Sequence, residues 1–251
     1  MHQFNLRTFS AHSLTFKFAI GFLFFSATLV TFSKAQAQPK DIVVLGSSTA
    51  AGTGPTNLKF AWVNRFRTYV QKHFPTATVR NLAIGGYTTF HIRPTDSTPP
   101  PGRFAPDPNA NITKALSLSP TMIIINLPSN DAANGFTVAE QLESYDMVLS
   151  AANAANVPVY ISTTQPRNLS ANGRRNLTAM RDSTFSRYGG NAIDFWSGLA
   201  LENGGLREIY DSGDGIHLNN AGHAILFRRA VYGTIGAVGG GEDIRSKEVT
   251  N

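Results

Sequence analysis

The chain has 251 residues, 42% of them hydrophobic and 15% charged, with 22 Lys and Arg against 16 Asp and Glu for a formal charge of +6. It contains no cysteine, which excludes disulfides, thiolate metal ligands and a cysteine nucleophile. Part of the positive balance sits at the start, where Arg7, Lys17 and Lys34 stand with no acidic residue, so the charge argues only weakly for nucleic acid and none is expected as a partner.

Arg7 and Lys17 precede a mostly apolar run from Phe18 to Phe32, and Ala35-Gln36-Ala37 supplies a small-x-small cleavage site. This pattern predicts a signal peptide over residues 1–37, cut after Ala37, and an exported protein, periplasmic or extracellular. The run falls short of the ~20 apolar residues of a spanning helix, so no stable membrane anchor is expected after cleavage. The remaining 214 residues, 38–251, suffice for one α/β domain, with the formal charge reduced to +3 once the three basic residues of the leader are gone.

Five short apolar runs follow: Ile42–Leu45, Val79–Ile84, Met122–Ile125, Val157–Ile161 and Ala192–Phe195. Helical patterns alternate with them, which predicts βαβ units and a parallel sheet between helices. Trp62, Val63, Phe66, Tyr69 and Val70 form a stripe at helical spacing that Pro75 ends. Thr137-Val138-Ala139-Glu140 matches a capping box, with Val138, Leu142, Tyr145, Leu149 and Ala152 on one face of the helix it opens. A helix within 173–187 is expected to expose Arg174, Arg175, Arg181 and Arg187. The last helix, from Asn219-Asn220, is expected to turn Ala224, Phe227 and Val231 inward.

The segment Tyr87 to Asn111 breaks this rhythm. Pro94, Pro99-Pro100-Pro101, Pro106 and Pro108 exclude a regular helix, and a connection so long is either a binding loop or a surface insertion. As a binding loop its candidate substrate contacts are Tyr87, Phe90 and Phe104, with His91 and Arg93 beside them.

Four polar clusters lie at carboxyl ends of predicted strands or at the start of the last helix: Gly46-Ser47-Ser48, Ile84-Gly85-Gly86-Tyr87, Pro128-Ser129-Asn130-Asp131 and Asp214-Gly215-Ile216-His217. In a doubly wound sheet such points converge on one rim. A serine hydroxyl needs a base to become a nucleophile. Of the four histidines after the leader, His73 ends an amphipathic helix, His91 lies in the long loop and His223 lies inside a helix. His217 alone sits in a polar turn with a carboxylate, Asp214, placed three residues earlier to orient it. Acyl transfer also needs donors to the oxygen of the tetrahedral intermediate. The Gly86 N–H, approachable because glycine has no Cβ, and the Asn130 side-chain amide can join the Ser48 N–H in that role.

These blocks, with Asn81-Leu82-Ala83-Ile84-Gly85-Gly86 as the second, resemble the SGNH, or GDSL-like, hydrolase family in order and spacing across residues 41–231. The resemblance implies Ser48 as nucleophile, His217 as base, Asp214 as its orienting partner, and Ser48, Gly86 and Asn130 as oxyanion-hole donors. It also implies a flavodoxin-like three-layer α/β/α fold of about five parallel strands that needs no metal or organic cofactor. Ser47 replaces the family's usual aspartate, which leaves two neighbouring serines as candidate nucleophiles, and Pro128 replaces the usual glycine, stiffening the wall beside Asn130.

The function expected is an exported serine esterase acting on acetyl or short acyl esters, of a small molecule or a polysaccharide. The same machinery would serve an O-acyltransferase or a lysophospholipase, and a non-catalytic carbohydrate-binding module could use the same fold. No Gly-x-Gly-x-x-Gly follows the first strand and no Gly-Lys-Ser/Thr loop occurs, which argues against a nucleotide site.

Overall fold

Ile42-Val43-Val44-Leu45 is apolar on both faces of a strand, and all four residues are fully buried in β1 (Asp41–Gly46). The computed structural model describes residues 41–127 and 129–236; the expected signal peptide, its cleavage point and Pro128 lie outside them. After β1 come α1 (Ser48–Ala51), α2 (Trp62–His73), β2 (Thr78–Asn81), α3 (Ile112–Ser117) and β3 (Met122–Asn126). They are followed by α4 (Ser129–Ala133), α5 (Val138–Ala154), β4 (Val159–Ser162), α6 (Ala171–Tyr188), β5 (Ala192–Ile193) and α7 (Asn220–Thr234).

The strands form one parallel sheet in the order β2-β1-β3-β4-β5, with Val43 opposite Arg80 on one side and Ile123 on the other. Alternation along β1 divides the core. Ile42 and Val44 pack with Trp62, Phe66 and Val70 of α2 and Leu226, Ala230 and Val231 of α7. Val43 and Leu45 pack with Ile112 of α3 and Tyr145, Val148 and Ala152 of α5. This is the expected three-layer α/β/α arrangement. Because the chain leaves β1 first to β2 and later crosses to β3 on its other side, the crevice beyond the carboxyl end of β1 is the topological switch point.

Several boundaries and faces differ from expectation. β2 stops at Asn81, whose side chain turns back to accept the Ala83 N–H (3.1 Å) and donate to the Ala50 carbonyl (2.8 Å). β5 ends after Ile193 because Asp194 accepts the N–H groups of Trp196 and Ser197 and starts a turn. The Thr137–Glu140 capping box forms as expected, but the buried face of α5 is Gln141, Ser144, Tyr145, Val148 and Ala152. Two polar residues are tolerated there because each has a partner, Thr184 for Gln141 and Arg93 for Ser144. On α7 the buried residues are Gly222, His223, Leu226, Ala230, Val231 and Thr234, with Ala224 and Phe227 only half-buried. On α6, Arg187 is exposed, whereas Arg174 donates to the Leu169 and Asn203 carbonyls and Arg181 lies over the Trp196 ring.

Candidate active site

β1 delivers two serines to the rim in different backbone states. Ser47 is extended (φ −115°, ψ −152°), donates its N–H to the Asn126 carbonyl at 3.1 Å and is 2% exposed. Ser48 opens α1, so its own N–H lies in a first turn, where no intrahelical acceptor exists. Its Oγ stands 2.8 Å from His217 Nε2.

The turn before α7 presents the imidazole. Asp211 accepts the N–H groups of Gly213 and Gly215, and Asp214 Oδ1 accepts those of Ile216 (2.9 Å) and His217 (2.8 Å). The other Asp214 oxygen, Oδ2, lies 2.5 Å from His217 Nδ1. Burial pushes the Asp214 carboxyl upward, but the hydrogen bonds from His217 and Ile216 outweigh it and hold the group at about 2. An ionised carboxylate only accepts, so Nδ1 carries the proton and Nε2 is left to accept from the Ser48 hydroxyl. Gly54 lies against the base of the His217 side chain. Its φ is +110°, and a Cβ there would stand 2.2 Å from the Leu218 carbonyl oxygen and 3.0 Å from His217 Cβ. Only glycine meets both conditions.

The second cluster arrives beside Ser48 because Ile84 N–H still bonds the Gly46 carbonyl at 3.2 Å. A Cβ on Gly85 would stand 3.9 Å from Ser48 Cβ. Gly86 has φ +84° with nothing within 4 Å of a Cβ position, so its backbone conformation, and not crowding, is what calls for glycine. Asn130, on α4, donates through Nδ2 to the Tyr87 carbonyl (2.9 Å) and accepts Arg167 Nη1 on Oδ1 (3.1 Å). Next to it Asp131 is fully buried and accepts both the N–H and the hydroxyl of Thr89. Burial raises its carboxyl to about 7 against the pull of those bonds.

Of the expected substrate contacts, Phe90 is wrongly placed for that role: it is fully buried, with its ring 5.3 Å from Phe136. Arg93, 1% exposed, lies over the Phe90 ring and donates to Ser144, so it too belongs to the interior. Tyr87 is half-buried and stacks on His91 at 4.3 Å, and its hydroxyl donates to the Asp107 carboxylate. Phe104 stacks on the other side of His91 at 4.6 Å and stays 43% exposed.

The sequence reading passed over the segment after β4. Gln165 donates to Thr49 of α1 (2.9 Å), Arg167 to Asn130, and the Asn168 N–H to the Gly215 carbonyl (2.8 Å). The rule that sites gather at strand carboxyl ends, applied to β4 as it was to the first three strands, would have marked these residues.

The family whose model matches, over residues 44–225, is the GDSL-like Lipase/Acylhydrolase family. No curated protein matches the chain. Among solved structures, a protein of the G-D-S-L family from Desulfitobacterium hafniense superposes with a TM-score of 0.59 at 14% identity, covering 77% of this chain and 99% of that one. A psychrotrophic esterase from Pseudoalteromonas sp., in a structure inhibited by monoethylphosphonate, gives 0.56 at 17%, covering 78% and 96%. A two-domain esterase active on acetylated mannans gives 0.53 at 18%, with 84% of this chain matching 51% of that one. These likenesses bear on the fold, and the family match extends over most of the chain. The chain belongs to the GDSL-like lipase/acylhydrolase family.

Proposed function

We propose that the chain is an exported serine ester hydrolase that removes acetyl or short acyl groups, with a carbohydrate as the alcohol. The observation that carries the chemistry is the line Ser48 Oγ, His217 Nε2, His217 Nδ1, Asp214 Oδ2, joined at 2.8 and 2.5 Å. Ser48 Oγ adds to the ester carbonyl carbon as its proton passes to His217 Nε2, and the carbonyl π pair moves onto oxygen. The Ser48 and Gly86 N–H groups and the Asn130 amide receive that charge. Collapse re-forms the carbonyl and breaks the bond to the alcohol, which leaves with the proton from His217. Water then adds to the acyl-enzyme while giving a proton to His217, and the second collapse frees the acid and returns the proton to Ser48.

Support for a sugar alcohol comes from Phe104, whose exposed ring, backed by His91, offers a flat apolar face beside the rim. A neighbour of the same fold acts on acetylated mannans, and family membership fits an acylhydrolase. The export expected from residues 1–37 would bring the enzyme to such polymers.

The test is a series of acetyl, butyryl and longer acyl nitrophenyl esters beside acetylated polysaccharide fragments. The acetyl ester is expected to turn over fastest, and acetate is expected to be released from the polymer. Preference for long chains would point to lipid esters instead.

A further inference from the structure

Asn130 is held at both ends of its carboxamide by partners of opposite kind. The Tyr87 carbonyl can only accept, so Nδ2 must face it; the Arg167 guanidinium can only donate, so Oδ1 must face that side. Two independent contacts thus fix which way the amide points. Nδ2 carries two hydrogens, and one is used by Tyr87. Among the described residues the other meets no acceptor, which leaves it for an oxyanion.

Arg167 itself is costly to place here. Its side chain is half-buried, its Nε is shielded from solvent and has no hydrogen-bond partner, and among the described residues it forms no ion pair at contact distance. Burial accordingly draws its pKa down, with the field of Asp214 opposing. A partly desolvated guanidinium without a carboxylate, spent on one neutral amide oxygen, suggests a use beyond stability. The segment that carries it is pinned on the other side of the site, where Asn168 N–H bonds Gly215 in the turn that holds Asp214 and His217.

We propose that Arg167 is a positioning residue, whose guanidinium holds Asn130 Oδ1 so that the free Nδ2 hydrogen is aimed at the oxygen of the tetrahedral intermediate and is strengthened as a donor by the adjacent charge. This rests on reading Asn130 as an oxyanion donor. A charge on the acceptor side of an amide polarises it, and chains of hydrogen bonds reinforce one another. Arg167 therefore acts through Asn130 and touches neither the nucleophile nor the base.

The test is a double-mutant cycle with the full chain on nitrophenyl acetate, using Arg167→Met, Arg167→Lys, Asn130→Ala and the Arg167→Met/Asn130→Ala pair, with Ser48→Ala as control. Arg167→Met is expected to lower kcat about 10- to 100-fold at nearly constant KM, and Asn130→Ala about 10²- to 10³-fold. Lysine, which keeps a charged donor, should recover part of the loss. The pair should be no slower than Asn130→Ala alone, since nothing remains to be aimed. Additive losses, or a loss expressed only in KM, would each overturn the proposal. Unchanged turnover in Arg167→Met beside a normal loss in Asn130→Ala would overturn it alone. Full turnover in Ser48→Ala or Asn130→Ala would overturn the catalytic reading and this inference together. Should Arg167→Met fail to fold, Arg167→Lys in the two Asn130 backgrounds carries the same comparison.

Discussion

Two adjacent serines follow β1, and their backbone states separate their uses. Ser47 is spent on joining β1 to β3 through Asn126, while Ser48 turns its hydroxyl to His217. Ser48→Ala is therefore expected to cut kcat by roughly 10³-fold or more with an unchanged melting temperature, and Ser47→Ala to keep most activity. Activity assays beside thermal unfolding decide this, and the reverse pattern would move the nucleophile to Ser47. The motif blocks made Ser48, Asp214 and His217 readable, because short spacing and residue type already limit what Asp-x-x-His in a turn can do. Arg167 was not readable in the same way. Its partner Asn130 lies 37 residues earlier and meets it only when β3 and β4 pair.

The connection from Tyr87 to Asn111 is neither a free lid nor a passive insertion. Its first half is built into the body, with Thr89 on Asp131, Arg93 on Ser144, and the Ile112 N–H on the Ile92 carbonyl at 3.1 Å. Its later part is tied by Arg103 to Glu140, the same residue that closes the α5 capping box. Irregular backbone has no period from which to read a face, so sequence alone could not separate Phe90 from Phe104. The periodic elements were easier, and even there α5 and α7 turned by about one residue because Gln141, Ser144 and His223 found polar partners inside. Phe90→Ala is expected to cost about 3–5 kcal/mol of stability, the usual range for an emptied core aromatic. Phe104→Ala should leave the melting temperature in place and raise KM for a polysaccharide ester while sparing nitrophenyl acetate. Denaturant melts and the two substrates together check both outcomes.

Across the molecule, two buried titratable groups oppose each other. Asp131 has a folded value of about 7, above the ordinary carboxylate value, so the stability it contributes is present at low pH and lost as pH rises towards 7. His223 is fully buried, accepts the Trp62 N–H on Nδ1 at 3.1 Å and faces the Thr53 carbonyl with Nε2. Burial lowers it to about 4, so its contribution is present above the ordinary histidine value and lost as pH falls towards 4. Between about 4 and 6.5 the two slopes have opposite sign and offset one another. Asp131→Asn should unmask the histidine, giving a melting temperature that climbs steadily with pH across that window. A curve in the variant that stays as flat as the parent's would show that Asp131 does not carry the proton assigned to it. The parallel sheet and its flanking helices, which place these groups, were legible from five apolar runs, since a run buried on both faces has few other homes, whereas the strand order was not.

The hydrogen bond between Ser48 and His217 joins residues 169 apart, and it does not stand alone. Thr56 pairs with Asn220, and Thr53 and Trp62 with His223, so a stretch near the start of the domain is zipped to one near its end. Contacts of such separation carry a high loop-closure cost, which slows their formation. A chain emerging from the ribosome would therefore hold Ser48 apart from His217 until the turn before α7 docks. Hydrolytic competence would wait on that docking, and turnover of a chromogenic ester would serve as a clock for it.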